Sequence, residues 1–242
     1  MRSDMNVPKE LHLFNFSSVS DLEQWVMGSD ADVGGLSKAQ WGLTPQKTGL
    51  FWGTLSTRIP ENSKLNSSGY AGIRSREKPL TLFHRPRLDT SLHRYLAIRA
   101  KGDTKQWFVN IQTDSLYPSF LWQHRLHFET PGEWETILVC HVSTNPFKVP
   151  FRDFVLTSNG FLQKRQMEMD RTKVKTIGFS AVRQDGDFSL EIESIKAINT
   201  QGTIGDYDLL KSDEYLDEFG DVQKYEPGAI PKSNPWSNIK LF

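Results

Sequence analysis

Two runs late in the chain, Thr176-Ile177-Gly178-Phe179-Ser180-Ala181-Val182 and Phe188-Ser189-Leu190-Glu191-Ile192-Glu193-Ser194-Ile195, are separated by a short stretch containing Asp185-Gly186. Apolar residues alternate through most of the second run. That is the period of a strand with one buried face, and a helix would scatter the same side chains around its axis. The Asp-Gly pair between the runs predicts a β-hairpin. Residues 95–100 and 106–111 flank Lys101-Gly102-Asp103 and predict a second hairpin in the same way.

Further strands are predicted over residues 11–16, 38–43, 50–58, 70–75, 120–128 and 134–142, the last two joined through Thr130-Pro131-Gly132-Glu133. Ser20-Asp21-Leu22-Glu23 has capping-box spacing, which lets the serine and glutamate satisfy free backbone donors, and it starts a short helix through Trp25. Asp32-Val33-Gly34-Gly35-Leu36-Ser37 is a glycine-rich turn, and residues 61–68 are a loop. Residues 143–171 read as one long irregular stretch. Serial short strands with hardly any helical periodicity imply an all-β antiparallel sandwich, a jelly roll, over residues 11–199. Residues 1–10 form an extension before it. Residues 200–242 follow, with an acidic helix over 206–219 carrying Leu209, Leu210, Leu216 and Phe219, then a tail containing Pro227, Pro231 and Pro235.

A chain of 242 residues that is 37% hydrophobic suffices for one such core. Lysine and arginine balance aspartate and glutamate at 29 each, so no overall field draws in a polyanion and nucleic acid is not an expected partner. Cys140, the single cysteine, lies in Ile137-Leu138-Val139-Cys140 and reads as a small buried hydrophobe, in keeping with a reducing compartment. No stretch approaches the roughly twenty apolar residues of a membrane-spanning helix, so the expectation is a soluble or peripheral protein. Residues 1–10 show neither the apolar core of a secretory signal nor a basic amphipathic transit pattern, and no address is legible there.

Catalytic and metal-binding patterns are sparse. His124 and His127 would share a metal on a helix, but on a strand their odd spacing sends them to opposite faces. Glu191 and Glu193 emerge on one strand face and read as a solvated outer surface rather than as paired glycosidase carboxylates. Asp30 and Asp32, like Asp185 and Asp187, lie near glycine and read as turn residues, without the full pattern of a calcium loop. There is no Gly-x-Ser-x-Gly elbow, phosphate-binding loop or dinucleotide fingerprint, and Cys140 lacks the cationic surroundings of a nucleophile. No catalytic residue, metal, cofactor or small-molecule substrate is therefore expected. The aromatic content of loops and tail points to protein binding instead. Tyr117, Phe120, Phe147, Phe151 with Arg152, and Phe154 lie in or beside irregular segments, and Trp236, Ile239, Leu241 and Phe242 crowd the last residues. All but Phe154 are candidate partner-binding residues, the competing reading being that such rings plug the ends of the sandwich or strap its edge.

Asp32-Val33-Gly34-Gly35-Leu36-Ser37, Gly69-Tyr70-Ala71-Gly72-Ile73-Arg74, Gly102-Asp103, Gly132-Glu133-Trp134, and the run from Ile177-Gly178-Phe179 to Phe188-Ser189-Leu190-Glu191-Ile192 together resemble the complex I intermediate-associated protein family. Tyr70 stands where that pattern leads one to expect phenylalanine. The resemblance spans residues 11–199. It implies a galactose-binding-like jelly roll in a non-catalytic, chaperone-like assembly factor of mitochondrial respiratory complex I. Such a protein binds intermediates of the membrane arm and other assembly factors, on the matrix side and peripheral to the inner membrane, attached through protein partners. It carries no catalytic, metal or cofactor residue over to this chain. A second class stays open at this point: a carbohydrate-binding module, since jelly rolls present tryptophan or tyrosine platforms to sugars and this chain has seven tryptophans.

Overall fold

The computed structural model describes residues 9–61, 63, 65, 67–82, 86–115, 117–140, 154–158 and 160–199. The expected helix over 206–219, the tail after it, and Phe147, Phe151, Arg152, Trp236, Ile239, Leu241 and Phe242 lie outside these residues, as does the side chain of Cys140. In chain order the strands are β1 (Glu10–Asn15), β2 (Trp25–Ser29), β3 (Lys38–Leu43), β4 (Gly49–Leu55), β5 (Tyr70–Ser75), β6 (Tyr95–Gly102) and β7 (Trp107–Thr113). They continue as β8 (Phe120–Leu126), β9 (Glu135–Cys140), β10 (Val155–Ser158), β11 (Phe161–Leu162), β12 (Val174–Val182) and β13 (Gly186–Ile198). One α-helix, α1 (Val19–Glu23), follows β1.

The strands form two antiparallel sheets packed as a jelly-roll sandwich. A six-stranded sheet runs β3-β4-β13-β6-β9, with β4 pairing the first half of β13 and β1 the second. A seven-stranded sheet runs β11-β10-β8-β7-β12-β5-β2. Alternation puts Phe188, Leu190 and Ile192 of β13 inward. The register then slips at Glu193, which has no partner on β6, and this bulge resets the parity so that Ile195 and Ala197 also face the core. Trp107 meets Phe51 and Phe188 across the core, with ring centroids 6.1 and 5.9 Å away, while Trp25 stacks on Phe179 at 6.2 Å. Burying each such side chain stabilises the fold by about 1.5–3 kcal/mol; the Trp107 contacts cross between the sheets and hold the layers together, while Trp25 and Phe179 pack within the seven-stranded one.

Both expected hairpins are corrected. β6 belongs to the six-stranded sheet and β7 to the seven-stranded one, and β12 and β13 are divided the same way. Each tight connection crosses from one sheet to the other. The corners explain it. The Asp103 carboxylate accepts from Ser189 N–H at 2.7 Å, Lys105 N–H at 2.9 Å and Trp107 Nε1 at 2.9 Å, so it ties the turn to β13 while the chain leaves for the opposite sheet. The second corner uses positive φ at Arg183 and Gly186, and its Gln184 side chain accepts from Gln106 N–H at 2.7 Å, packing one corner against the other.

Three other readings shift. Helix α1 is capped by Ser18, whose box partner is Asp21, and it ends before Trp25, because that ring is buried from an extended strand against Phe14 and Phe16. The stretch 143–171 contains β10 and β11 and leads into a 3-10 turn at Arg171–Lys173, since β10 pairs with β8 and buries Val155 and Leu156. Glu191 does lie on the outer face with Glu193, yet it is buried, accepting from Thr48 Oγ1 at 2.5 Å and paired with Lys101 at 2.9 Å.

Candidate interaction surface

A cleft of about 540 Å³ lies on the outer face of the seven-stranded sheet. Strand order creates it. Gly28 of β2 pairs with Gly72 of β5, and one step along the sheet Gly178 of β12 pairs with both Arg74 of β5 and Asn110 of β7. Outward alternation would normally fill such positions with side chains. Three glycines lower the floor instead, leaving no side chain at Gly28 and Gly178 and room for the Tyr70 hydroxyl over Gly72. Gly178 is constrained by the neighbouring strand as well: a Cβ there would stand 2.6 Å from the carbonyl oxygen of Ile73 on β5. At Gly72 the hydroxyl of Tyr70 takes the room a methyl group would need, at 2.7 Å from an added Cβ.

The walls are polar on one flank and aromatic on another. Asn110 Nδ2 donates to Ser180 Oγ at 2.8 Å and its Oδ1 accepts from Gln123 Nε2 at 2.8 Å, so the amide is fixed by the strands on either side. Gln112 Nε2 donates to the Pro118 carbonyl at 2.9 Å and pins the 117–120 turn over the cleft edge. That turn brings two expected residues together: the rings of Tyr117 and Phe120 lie 4.8 Å apart, Phe120 lining the cleft and Tyr117 60% exposed beyond it. Burial pushes the Tyr70 hydroxyl above its ordinary range, with Arg74 opposing and nearby Asp32 adding to the rise.

Asp30 anchors the other end of this surface. Its carboxylate accepts from the N–H and hydroxyl of Ser37 at 2.9 and 2.8 Å, from Ser68 Oγ at 2.9 Å, and from the N–H groups of Gly69 and Tyr70 at 2.6 and 3.0 Å. Burial pushes its carboxyl up, but the donors from Tyr70, Ser37 and Ser68 outweigh it and hold the group below the ordinary carboxylate range. Asp32 accepts from Ser29 N–H, while Asp185 accepts from Thr57 and Asp187 from Thr54, all within turns and strand ends. His124 packs on Phe154, ring centroids 5.5 Å apart, and Phe154 belongs to the core. His127 lines a separate groove beside Trp134.

Arg74, Asn110, Gln112 and Gly178 were not singled out as site residues on the sequence. Their outward alternation is written there, in Tyr70-x-Gly72-x-Arg74 and Phe108-x-Asn110-x-Gln112, but their adjacency depends on β12 lying between β5 and β7. Of the six described tryptophans, Trp25, Trp107 and Trp122 are core residues, Trp41 packs on Phe16 at 5.7 Å, Trp52 lies against Gly42, and Trp134 lies beneath Arg99 and Lys101 on a groove wall.

One protein family matches residues 14–192, described as complex I intermediate-associated protein 30. The chain is 34% identical over 259 aligned positions to the mitochondrial protein of that name from Neurospora crassa, covering 97% of this chain and 84% of that one. The protein of the same name from Drosophila melanogaster is 27% identical, covering 88% of this chain and 68% of its own length. That from Mus musculus is 26% identical, covering 76% and 54%. Among solved structures, a family 11 carbohydrate-binding module from Clostridium thermocellum in complex with a β-1,3-1,4-mixed-linked tetrasaccharide superposes with a TM-score of 0.52 at 17% identity, covering 79% of this chain and 96% of that one. At that identity the likeness is one of fold.

Proposed function

The chain belongs to the complex I intermediate-associated protein 30 family, and from that membership we propose that it is a non-catalytic assembly factor binding intermediates of mitochondrial respiratory complex I. The carrying observation is the family match over residues 14–192 together with 34% identity to a relative across nearly the whole chain. The structure supports a binding role: the exposed Tyr117–Phe120 pair stands at the rim of a cleft, and aromatic anchors beside sheltered polar groups are what protein interfaces use. The glutamates that could have formed a catalytic pair have structural partners, Glu191 in Thr48 and Lys101 and Glu193 in Arg99.

In this reading the protein acts on the matrix side of the inner membrane, on intermediates of the membrane arm, and is held there by protein contacts. Among the described residues no helix is long and apolar enough to cross a membrane. Cells lacking the protein, complemented with a tagged copy, provide the test. Wild-type protein is expected to restore complex I and to recover its membrane-arm intermediates. The Tyr117→Ala/Phe120→Ala variant is expected to recover clearly less while melting near the wild-type temperature. Normal complex I assembly in the uncomplemented cells would overturn the assembly role, and full recovery by the double variant would overturn the rim as its contact. Carbonate extraction should release the protein, and retention in the pellet would contradict peripheral attachment. The same recovery assay, with Phe147, Phe151 and Arg152 changed together to alanine or with residues 229–242 deleted, tests the remaining expected contacts.

A further inference from the structure

We infer that the glycine-floored cleft takes an extended, acidic peptide segment of a protein partner, whose carboxylate pairs with Arg74 and whose backbone amides meet Asn110 and Gln112. This deepens the assembly reading and rests on it for the partner being a protein. Charge complementarity selects the ligand. Arg74 is the one charged side chain among the described residues lining the cleft; it is exposed and has no hydrogen-bond or ion-pair partner among the described residues. Asp32, whose carboxylate stands 3.4 Å from where a Cβ on Gly28 would lie, accepts from Ser29 N–H at 3.0 Å. A neutral occupant would leave the guanidinium facing nothing of opposite charge.

The polar wall fits a peptide backbone. Asn110 is locked by Gln123 and Ser180, and Gln112 by the Pro118 carbonyl, so each amide has one N–H and oxygen lone-pair capacity left to offer at fixed positions. An amide with one N–H and one lone pair left can pair with the acceptor and donor of a peptide group. The absence of side chains at Gly28 and Gly178 permits the close approach that an extended chain requires, the Tyr70 hydroxyl lies over Gly72, and Phe120 with Leu121 offers a seat for one apolar side chain. From β2 to β8 the cleft crosses about 19 Å at the usual strand spacing, a span that about six extended residues cover.

A random hexapeptide display library, selected on the immobilised full chain and in parallel on its Arg74→Glu variant, tests the inference. Selection on the wild type is expected to enrich aspartate or glutamate at one position, and selection on Arg74→Glu to enrich lysine or arginine there. A labelled peptide from the wild-type pool, followed by fluorescence polarisation, should lose about tenfold in affinity with Arg74→Glu and a smaller factor with Asn110→Ala, both variants melting near the wild-type temperature. Wild-type pools without acidic enrichment, or identical pools from the two proteins, would overturn the inference. So would binding of a mixed-linked β-glucan oligosaccharide that Arg74→Glu leaves unchanged, or an Arg74-dependent homodimer in sedimentation. Intermediate recovery separates the two readings: if Arg74→Glu recovers intermediates fully and the pools show no acidic preference, the peptide site fails while the assembly role stands. If wild-type protein recovers none, the assembly role fails and acidic enrichment alone decides the site.

Discussion

Asp30 is 4% exposed and collects donors from three separate segments, at Ser37, at Ser68 and at Gly69-Tyr70. Substituting Asp30→Asn keeps the volume but turns an NH2 group toward those donors, and we expect a loss of roughly 2–4 kcal/mol in urea denaturation. Because its carboxyl is held below the ordinary range in the fold, its contribution is fully present above the unfolded pKa and is lost as pH falls through the folded one. Wild-type stability should therefore drop between neutral pH and about pH 3 by more than that of Asp30→Asn; equal slopes would show that the carboxylate is not the acid-sensitive element. The sequence marked Asp30 as a turn residue beside glycine. That it reaches Ser68, Gly69 and Tyr70 was not legible, because nothing local to residue 30 encodes a contact 38 to 40 positions away.

At the scale of elements, the inward alternation of β12 and β13 was legible while their relationship was not. An apolar stripe faces the core equally well whether the next strand lies beside it or across from it, so the period of two cannot tell a hairpin from a crossing between sheets. Cross-linking separates the two arrangements. With Cys140 replaced by alanine, the pair Arg99→Cys/Ser194→Cys joins residues that are direct partners on β6 and β13 and should oxidise readily. Ser180→Cys/Glu191→Cys, opposite one another in the expected hairpin, lies on different sheets and should stay reduced. An efficient second disulfide would restore the hairpin. Gly178 carries a prediction of its own. Adding a methyl group 2.6 Å from the Ile73 carbonyl forces β5 and β12 apart, so Gly178→Ala should cost about 1–3 kcal/mol in thermal melting.

For the whole molecule, the ends of the described fold meet. β1 pairs with the second half of β13, Asn199 N–H donates to the Lys9 carbonyl at 3.0 Å, and the Asn199 side chain accepts from Arg94 N–H at 3.0 Å. We expect residues 9–199 alone to melt in one cooperative transition, and a chain ending at residue 185 to be unfolded by circular dichroism, since β13 holds β4, β6 and β1 together. A cooperative melt from the shorter chain would refute that role for β13. Strand partners distant in sequence also imply refolding in milliseconds to seconds, measurable by stopped flow.

What the sequence determined by itself is what depends on local pattern. The strands over 38–43, 70–75 and 188–195, the turn at Gly34-Gly35, the all-β class and the family resemblance all follow from alternation, turn chemistry and motif order within short windows. Tyr117 and Phe120 were within reach for the same reason, being three residues apart on one turn. Tertiary structure alone decided strand order, and with it the cleft. Arg74, Gly178 and Asn110 stand side by side only because β12 inserts between β5 and β7, a choice made by packing across the core and by corner contacts such as Asp103 to Ser189. Alternation specifies which face of a strand is wet; which strands become neighbours is set by the collective burial of both sheets, and no window of sequence contains that sum.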